Sequence, residues 1–264
     1  MQTPALELAA VDFGWEGRPF IEGLSLTVQP GEFIALVGPS GVGKSTIFRL
    51  VAGLLAPSSG RVLIGGAPAA PGRVGYMPQK DCLLPWRTVR QNAALALEVQ
   101  GRPAKQAAAE AGAHLADFGL QAVADQFPHQ LSGGMRQRVA FLRTTLGGQQ
   151  LLLLDEPFSA LDALTRSQMH EWLQERWARL GATILFITHD PEEAVFLADR
   201  VLILKGASGG NLRGDLHFGP AGGPPPIRTL TEIPIDLPRP RRVESVTEPA
   251  FQGLRAQVLK EIRT

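Results

Sequence analysis

Residues 38–45 combine the residue types and the spacing that bind the phosphates of a nucleotide. Gly38 and Gly43 are separated by four residues and followed by Lys44 and Ser45, which is the P-loop pattern. Glycines allow backbone N–H groups to converge on a phosphate, and a helix starting after them directs its positive end at the same charge. We expect Lys44 to reach the β- and γ-phosphates and the Ser45 hydroxyl to ligate Mg²⁺. The candidate phosphate-binding residues are Gly38, Pro39, Ser40, Gly41, Val42, Gly43, Lys44, Ser45 and Thr46.

A second chemical element is a pair of carboxylates after an apolar run. Residues 151–154 are four leucines that indicate a buried strand, and Asp155 and Glu156 follow them directly. A strand that ends beside the phosphate loop places Asp155 where it holds the magnesium shell. Glu156 is then positioned to polarise the attacking water as a general base. Combined with the P-loop, this pair predicts hydrolysis of the nucleotide.

The third element is a remote turn within residues 131–138, where Ser132, Gly133 and Gly134 follow one another. Such a turn grips a nucleotide from the side opposite to the P-loop. One copy of the chain cannot easily close both halves on one nucleotide, whereas two copies facing head to tail can. A helix is expected at 135–146, directly after this turn. We therefore expect ATP to act as a reversible clasp between two copies of the chain.

In their order and spacing, these motifs resemble those of the ATP-binding subunits of ABC transporters, over residues 13–204. The resemblance implies that Trp15 stacks on adenine, although Phe13 is close enough in the sequence to compete for this role. It also implies that Gln79 senses Mg²⁺ and the γ-phosphate and relays their presence to a membrane partner. Ser132, Gly133 and Gly134 would contact the γ-phosphate bound to the second copy.

Two further motifs extend the resemblance. Residues 159–162 are similar to the loop that links the two nucleotide sites of such dimers, which implies nucleotide contact for Asp162. His189 lies between Thr188 and Asp190 and resembles the switch histidine that hydrogen-bonds the γ-phosphate and orients Glu156. The implied catalytic residues are Glu156, His189 and Gln79, and the implied Mg²⁺ ligands are Ser45, Gln79 and Asp155. His114, His129, His170 and His217 are interpreted as surface or incidental residues.

The elements that must position these residues follow an alternating pattern of strands and helices, which predicts an α/β domain around a mainly parallel sheet. Early strands, which could be antiparallel, are expected at 5–11 and 24–28, and a helical insertion is expected around 103–119. The resemblance implies the P-loop NTPase fold of the ABC ATPase type. The other expected strands are 33–37, 151–154, 183–187 and 200–204, and the other expected helices are 46–54, 162–180 and 191–199.

A change of composition after Lys205 suggests a domain boundary. We expect an ABC ATPase domain over 1–205, with a helical subdomain at about 88–145, and a linker and tail over 206–264. Residues 206–226 are rich in glycine and proline and predict a loop or linker. A short strand is expected at 230–237. From 249 onward, apolar residues at helical spacing predict an amphipathic helix, and these are Phe251, Leu254, Val258 and Ile262.

Composition limits the partners. With 26 basic and 25 acidic residues the net charge is +1, so nucleic acid is not an expected partner. Because apolar runs fall short of the roughly 20 residues that cross a bilayer, separate permease subunits must supply the pathway. We expect a peripheral protein at the cytoplasmic face of the cell membrane, served indirectly by a substrate-binding protein. The single cysteine, Cys82, fits a reducing compartment and is interpreted as inert.

The solute is indicated only by weak resemblances. Residues 83–86 resemble ATPases of nitrate, sulfonate and taurine importers. Residues 141–144 followed by 151–158, and the Pro-Arg-Pro-Arg sequence at 238–241, resemble the same group and also its relatives that import thiamine-precursor pyrimidines. An ABC-type ATPase acting on DNA is a further alternative, although residues 45–132 lack the sustained heptads of a coiled coil. The sequence does not decide whether the apolar turn 81–86 is buried or is exposed for a partner.

Overall fold

The computed structural model describes residues 2–16, 18–205, 226–227 and 230–263. Residues 206–225, which make up nearly all of the predicted linker, lie outside the described residues. The strands are β1 Leu6–Trp15, β2 Arg18–Val28, β3 Phe33–Val37, β4 Ser59–Ile64, β5 Ala67–Pro68, β6 Gly75–Met77, β7 Leu151–Asp155, β8 Thr183–Thr188, β9 Arg200–Leu204 and β10 Leu230–Pro234. The helices are α1 Lys44–Val51, α2 Val89–Val99, α3 Ala104–His114, α4 Gly133–Thr145, α5 Ala163–Leu180, α6 Pro191–Leu197 and α7 Pro249–Arg263.

The N-terminal strands form a four-stranded sheet in the order β2-β1-β4-β5. Strand β1 pairs antiparallel with both β2 and β4. Its buried residues alternate with more exposed ones, as expected for a sheet with one face on the core. The prediction of early antiparallel strands is confirmed, although both strands are longer than the sequence pattern indicated.

The second sheet has six strands in the order β10-β9-β3-β8-β7-β6. Its strands from β9 to β6 pair in parallel, and β10 is antiparallel to β9. Strands β3, β7 and β8 are buried along their whole length, because one face of the sheet packs against α1 and the N-terminal sheet and the other against α4, α5 and α6. The predicted mainly parallel core sheet is confirmed, and its parallel strands all end at one edge.

Helices α2, α3 and α4 form the region inserted between β6 and β7. The insertion predicted at 103–119 is only partly helical, because α3 ends at His114. The chain continues through turns in which Leu115 and Phe118 are buried, and it reaches Gly119 at a φ of 67°. A left-handed residue of this kind interrupts a helix, so the alanine-rich pattern overestimates its length.

The C-terminal tail packs on the rest of the chain. Strand β10 ends at Pro234 and is shorter than the predicted 230–237. Phe251 and Val258 of α7 are buried in the same hydrophobic cluster as β3 and β8, and Leu254 and Ile262 pack against that cluster. The apolar stripe of the predicted helix therefore faces its own core.

Candidate active site

Four functional segments lie at one edge of the core sheet. The P-loop follows β3, Gln79 lies two residues after β6, Asp155 ends β7, and His189 follows β8. These strands are parallel and in register, with Val37 opposite Thr188 and Asp155 opposite Ile187. Since ligands bind in open α/β sheets beyond the carboxyl ends of the strands, this edge is the candidate active site.

The P-loop is shaped by glycines in left-handed conformations. Gly41 has a φ of 79° and Gly43 a φ of 112°, which residues with a Cβ rarely adopt. Lys44 is the first residue of α1, and its Nζ donates to the carbonyl oxygens of Gly38 at 2.8 Å and Pro39 at 3.0 Å. Burial lowers the pKa of Lys44, against the opposing effect of the nearby carboxylates. A phosphate would stabilise this buried ammonium, so the loop and the start of α1 fit the nucleotide phosphates.

Ser45 and Asp155, two of the expected Mg²⁺ ligands, place a hydroxyl and a carboxylate next to each other. The Ser45 hydroxyl donates to Asp155 Oδ1 at 3.4 Å, and the Tyr76 hydroxyl donates to Asp155 Oδ2 at 3.4 Å. Burial raises the pKa of Asp155, and the hydrogen bond from Ser45 opposes that shift. Burial, followed by the charge of Asp155, raises the pKa of Tyr76 to about 12. A hydroxyl beside a carboxylate is the donor set that suits Mg²⁺, so Ser45 and Asp155 fit this ion.

Glu156 is held between the other two predicted catalytic side chains. Gln79 Nε2 donates to Glu156 Oε2 at 3.2 Å, and His189 Nδ1 lies 3.3 Å from the same oxygen. The backbone of Glu156 has a φ of 45°, an uncommon conformation for a residue with a side chain, and its N–H donates to the Ile187 carbonyl at 3.0 Å. The structure thus brings Gln79, Glu156 and His189 together at one carboxylate.

A buried polar group lies beneath the loop that carries His189. Thr188 Oγ1 donates to Glu193 Oε2, and His170 Nε2 lies 3.0 Å from Glu193 Oε1. Thr188 also accepts from the Asp190 N–H at 3.0 Å, so the position of the loop is fixed by this group. The interpretation of His170 as surface or incidental is wrong, because it is buried and bonded to Glu193. The sequence does carry a signal for this buried polar group. Glu193 lies on the same face of its helix as the apolar residues three and four positions later, which indicates a buried carboxylate.

Trp15 and Phe13 differ in exposure. The Trp15 side chain ends β1 with 44% of its surface exposed, whereas Phe13 is 7% exposed. The two rings meet edge to face with centroids 4.9 Å apart. Trp15 therefore has the free surface that stacking on a base requires, and Phe13 supports it from the core.

The Ser-Gly-Gly turn packs against the start of α5. Ser132 caps α4 by accepting from the Met135 N–H at 3.3 Å, so the helix starts two residues before the predicted 135. A Cβ added to Gly133 would lie 2.9 Å from Leu161, and Asp162 caps α5 by accepting from the Thr165 N–H at 3.0 Å. Within the described part of the chain, neither Ser132 nor Asp162 hydrogen-bonds the P-loop. The turn and the 159–162 loop thus form one surface.

Comparison with known proteins identifies the family. Residues 21–159 match the family model described as ABC transporter. The chain belongs to the ABC transporter family. It is 42% identical to the formylaminopyrimidine import ATP-binding protein ThiZ of Halalkalibacterium halodurans over 264 residues, which cover 100% of this chain and 96% of that protein. It is 40% identical to the aliphatic sulfonates import ATP-binding protein SsuB of Cupriavidus pinatubonensis over 260 residues, which cover 98% of this chain and 77% of that protein.

A solved structure agrees with this assignment. The ABC transporter subunit is similar to cbiO1 from Clostridium perfringens, part of the ABC transporter complex cbiONQ, with a TM-score of 0.70 and 27% identity over 76% of this chain and 85% of that one. The predicted ABC ATPase fold is thereby confirmed. The chain is an ATP-binding subunit whose ATPase activity is coupled to transport. Among the helices that the structure describes, none is long and apolar enough to cross a membrane.

Proposed function

We propose that this ABC ATPase powers the import of a small solute through separate permease subunits, as one half of a dimer that closes on ATP. The observation that carries the proposal is the position of the Glu156 carboxylate between Gln79 and His189. This carboxylate lies at the sheet edge that also presents the P-loop, so a water activated by Glu156 is close to the nucleotide.

Each residue of the site has a role that its surroundings support. Lys44 holds the β- and γ-phosphates, and Trp15 stacks on adenine. Ser45, Asp155 and Gln79 hold Mg²⁺, which when bound neutralises phosphate charge. Glu156 orients the attacking water and takes up its proton, and His189 holds Glu156 in place and contacts the γ-phosphate.

The second half of each nucleotide site is supplied by another copy of the chain. Ser132 is exposed and Gly133 is half-buried at the positive end of α4, so these two residues present the turn to another copy, whereas Gly134 is buried. Charge-assisted hydrogen bonds from this turn to the γ-phosphate, with Asp162 nearby, would join two copies. Hydrolysis removes the γ-phosphate and these bonds, so the dimer opens again.

Mixing two inactive variants tests the shared site. Lys44→Ala damages the P-loop, whereas Ser132→Asp keeps the helix cap and directs a negative charge at the γ-phosphate. Each variant alone should lack ATPase activity. A mixed dimer contains one intact site, built from the P-loop of the Ser132→Asp copy and the turn of the Lys44→Ala copy, so the mixture should hydrolyse ATP well above the sum of the two.

The matched control mixes Ser132→Asp with the double variant Lys44→Ala/Ser132→Asp, which leaves no intact site and should show no gain. If the first mixture is no more active than this control, although both mixtures form dimers, the shared site is wrong.

The permease contact is expected beside Gln79, because this residue leads directly into the turn 81–86. Leu83 in that turn is buried, whereas Trp86 is 70% exposed, so Trp86 is the apolar side chain of the turn that a permease can reach. Arg143 of α4 donates to the carbonyl oxygens of Cys82 at 2.7 Å and Asp81 at 2.6 Å. A permease bound at Trp86 is therefore connected to the helix that carries the Ser-Gly-Gly turn. This contact would hold the ATPase peripherally at the cytoplasmic face of the membrane.

The solute we propose is a nitrate-, sulfonate- or taurine-like anion, with a thiamine-precursor pyrimidine as the alternative. The identities of 40% to SsuB and 42% to ThiZ differ too little to decide between an anionic and a pyrimidine solute. The purified complex with its permease and binding protein should show faster ATP hydrolysis with nitrate, taurine or an alkanesulfonate. Acceleration by formylaminopyrimidine alone would support the alternative, and acceleration by DNA without any solute would contradict import.

A further inference from the structure

The chain returns from its C-terminal part to the P-loop at Ile227. The Ile227 N–H donates to the Phe20 carbonyl at 2.9 Å, and its own carbonyl accepts from the Glu22 N–H at 2.9 Å. These bonds form an isolated parallel bridge between Ile227 and Ile21 of β2. Ile227 is 1% exposed, so this return is a buried contact of the fold.

The side chain of Ile227 lies against the last glycine of the P-loop. A Cβ added to Gly43 would lie 2.7 Å from Ile227 Cδ1 and 2.7 Å from Phe20 Cε1. Gly43 precedes Lys44 and has a φ of 112°. Ile227 and Phe20 therefore cover the backbone that must present its N–H groups to the phosphates.

The same segment connects the two sheets that a bound nucleotide has to touch. Ile227 pairs with β2, in the sheet where Phe13 is opposite Ile21. Three residues later β10 starts and pairs with β9, which in turn pairs with β3, the strand that leads into the P-loop. Ile227 thus bonds to the sheet that carries Trp15, and β10 bonds to the sheet whose strand β3 leads into the P-loop.

We propose that Ile227 is a positioning residue for ATP, which fixes the distance between the adenine-stacking Trp15 and the P-loop. The inference rests on the nucleotide-binding roles proposed above for Trp15 and Lys44. Bound ATP would contact both sheets. When the separation of the sheets is already fixed, binding costs less conformational entropy. Glu156 and His189 lie at the carboxyl ends of β7 and β8, whereas the backbone of Ile227 bonds to β2. Its removal should therefore weaken ATP binding and leave the hydrolytic step unchanged.

Truncation of Ile227 tests this role, with Ile233 as the matched control. Ile233 is 2% exposed and lies on β10. It packs in the hydrophobic cluster that contains Phe251 and Val258 of α7, to which Ile227 does not belong. Ile227→Ala should raise the KM for ATP by about fivefold or more with kcat unchanged, whereas Ile233→Ala should alter neither. Ile227→Val removes only the Cδ1 methyl at Gly43 and should show the same effect in weaker form, in a chain that folds normally.

Inorganic triphosphate separates positioning from a local effect on the P-loop, because it lacks the adenine that Trp15 contacts. Its affinity should change much less than that of ATP in Ile227→Ala. In the Trp15→Ala background, Ile227→Ala should cause a much smaller further loss, since coupled residues are non-additive. Equal losses for triphosphate and ATP, or the same KM change in Ile233→Ala, would overturn the positioning role. If Trp15→Ala alone leaves ATP affinity unchanged, the stacking role itself is wrong, and this outcome is distinguishable from the other two.

Discussion

Glu156→Gln is expected to bind ATP almost normally, to lose at least about 100-fold of its turnover, and to accumulate as a dimer with ATP. The amide has nearly the shape of the carboxylate, so the contacts with Gln79 and His189 are largely kept. It cannot take up a proton from the attacking water, and the γ-phosphate that joins the two copies therefore stays in place. The measurements are kcat, ATP affinity by calorimetry, and mass by light scattering with and without ATP.

Glu175→Gln is the matched control for this variant. Glu175 is an exposed residue of α5, and the same substitution there should leave turnover and the ATP-dependent mass unchanged. A Glu156→Gln protein that stays monomeric with ATP and hydrolyses it at the normal rate would contradict both the catalytic role and the clasp.

The parts of the site that the sequence predicts well are those where several local signals coincide. The strands β3, β7 and β8 are short apolar runs that are buried on both faces. The P-loop follows β3, Asp155 and Glu156 lie at the end of β7, and His189 follows β8. Because parallel strands end at one edge, the motifs after them predict a common site without knowledge of the strand order.

Helix α1 shows where local signals give the wrong boundary. The pattern predicts 46–54, whereas the helix runs from Lys44 to Val51. It starts early because Gly43 is left-handed and lets the chain turn directly into the helix. It ends early because Gly53, with a φ of 70°, closes the last turn.

The contacts that the sequence does not predict join residues far apart in the chain. His170 and Glu193 are 23 positions apart, and Arg241 and Gln174 are 67 positions apart. Ile227 reaches Gly43 through a bridge to β2. Periodicity of apolar residues predicts which face of a helix or strand is buried. It does not predict which residue from a distant part of the chain packs against that face.

Arg241 is the strongest such case, and its loss is expected to have the largest effect on stability. Its side chain is 3% exposed, and Nη1 donates to three carbonyl oxygens at the end of α6. These belong to Val195 at 2.8 Å, Phe196 at 3.2 Å and Ala198 at 2.6 Å. Nη2 donates to Ile235 O and Leu237 O at 3.3 Å each. A buried cation thus satisfies the carbonyls that a helix leaves unpaired at its C-terminus.

The charge of Arg241 is kept in the folded protein. Burial, followed by the neighbouring charge of Arg239, lowers the pKa of Arg241 to about 10, so the guanidinium is still protonated at neutral pH. Five carbonyl oxygens accept from it, and substitution by an apolar side chain would leave them buried without a donor. The second arginine of the Pro-Arg-Pro-Arg sequence is therefore explained by packing and not by contact with solute.

Arg241→Met is accordingly expected to lower the free energy of unfolding by about 3 kcal/mol or more. Urea denaturation followed by circular dichroism measures this change. Arg241→Lys should recover part of the loss, since an ammonium supplies three donors in place of five. The neighbouring Arg242 is exposed, so Arg242→Met should change the free energy of unfolding by no more than about 0.5 kcal/mol.

Loss of the Arg241 side chain should lower the stability of the fold and have much less effect on the rate of ATP hydrolysis. The reason is that Arg241 contacts the C-terminal end of α6 and not the loop that carries His189. At low temperature, where Arg241→Met is still folded, its kcat should stay close to that of the unchanged chain. Equal urea midpoints for Arg241→Met and Arg242→Met would mean that water replaces the guanidinium at the end of α6. The C-terminal tail would then be held by its other contacts, among them the apolar stripe of α7, the pairing of β10 and the ion pair of Arg239 with Asp199.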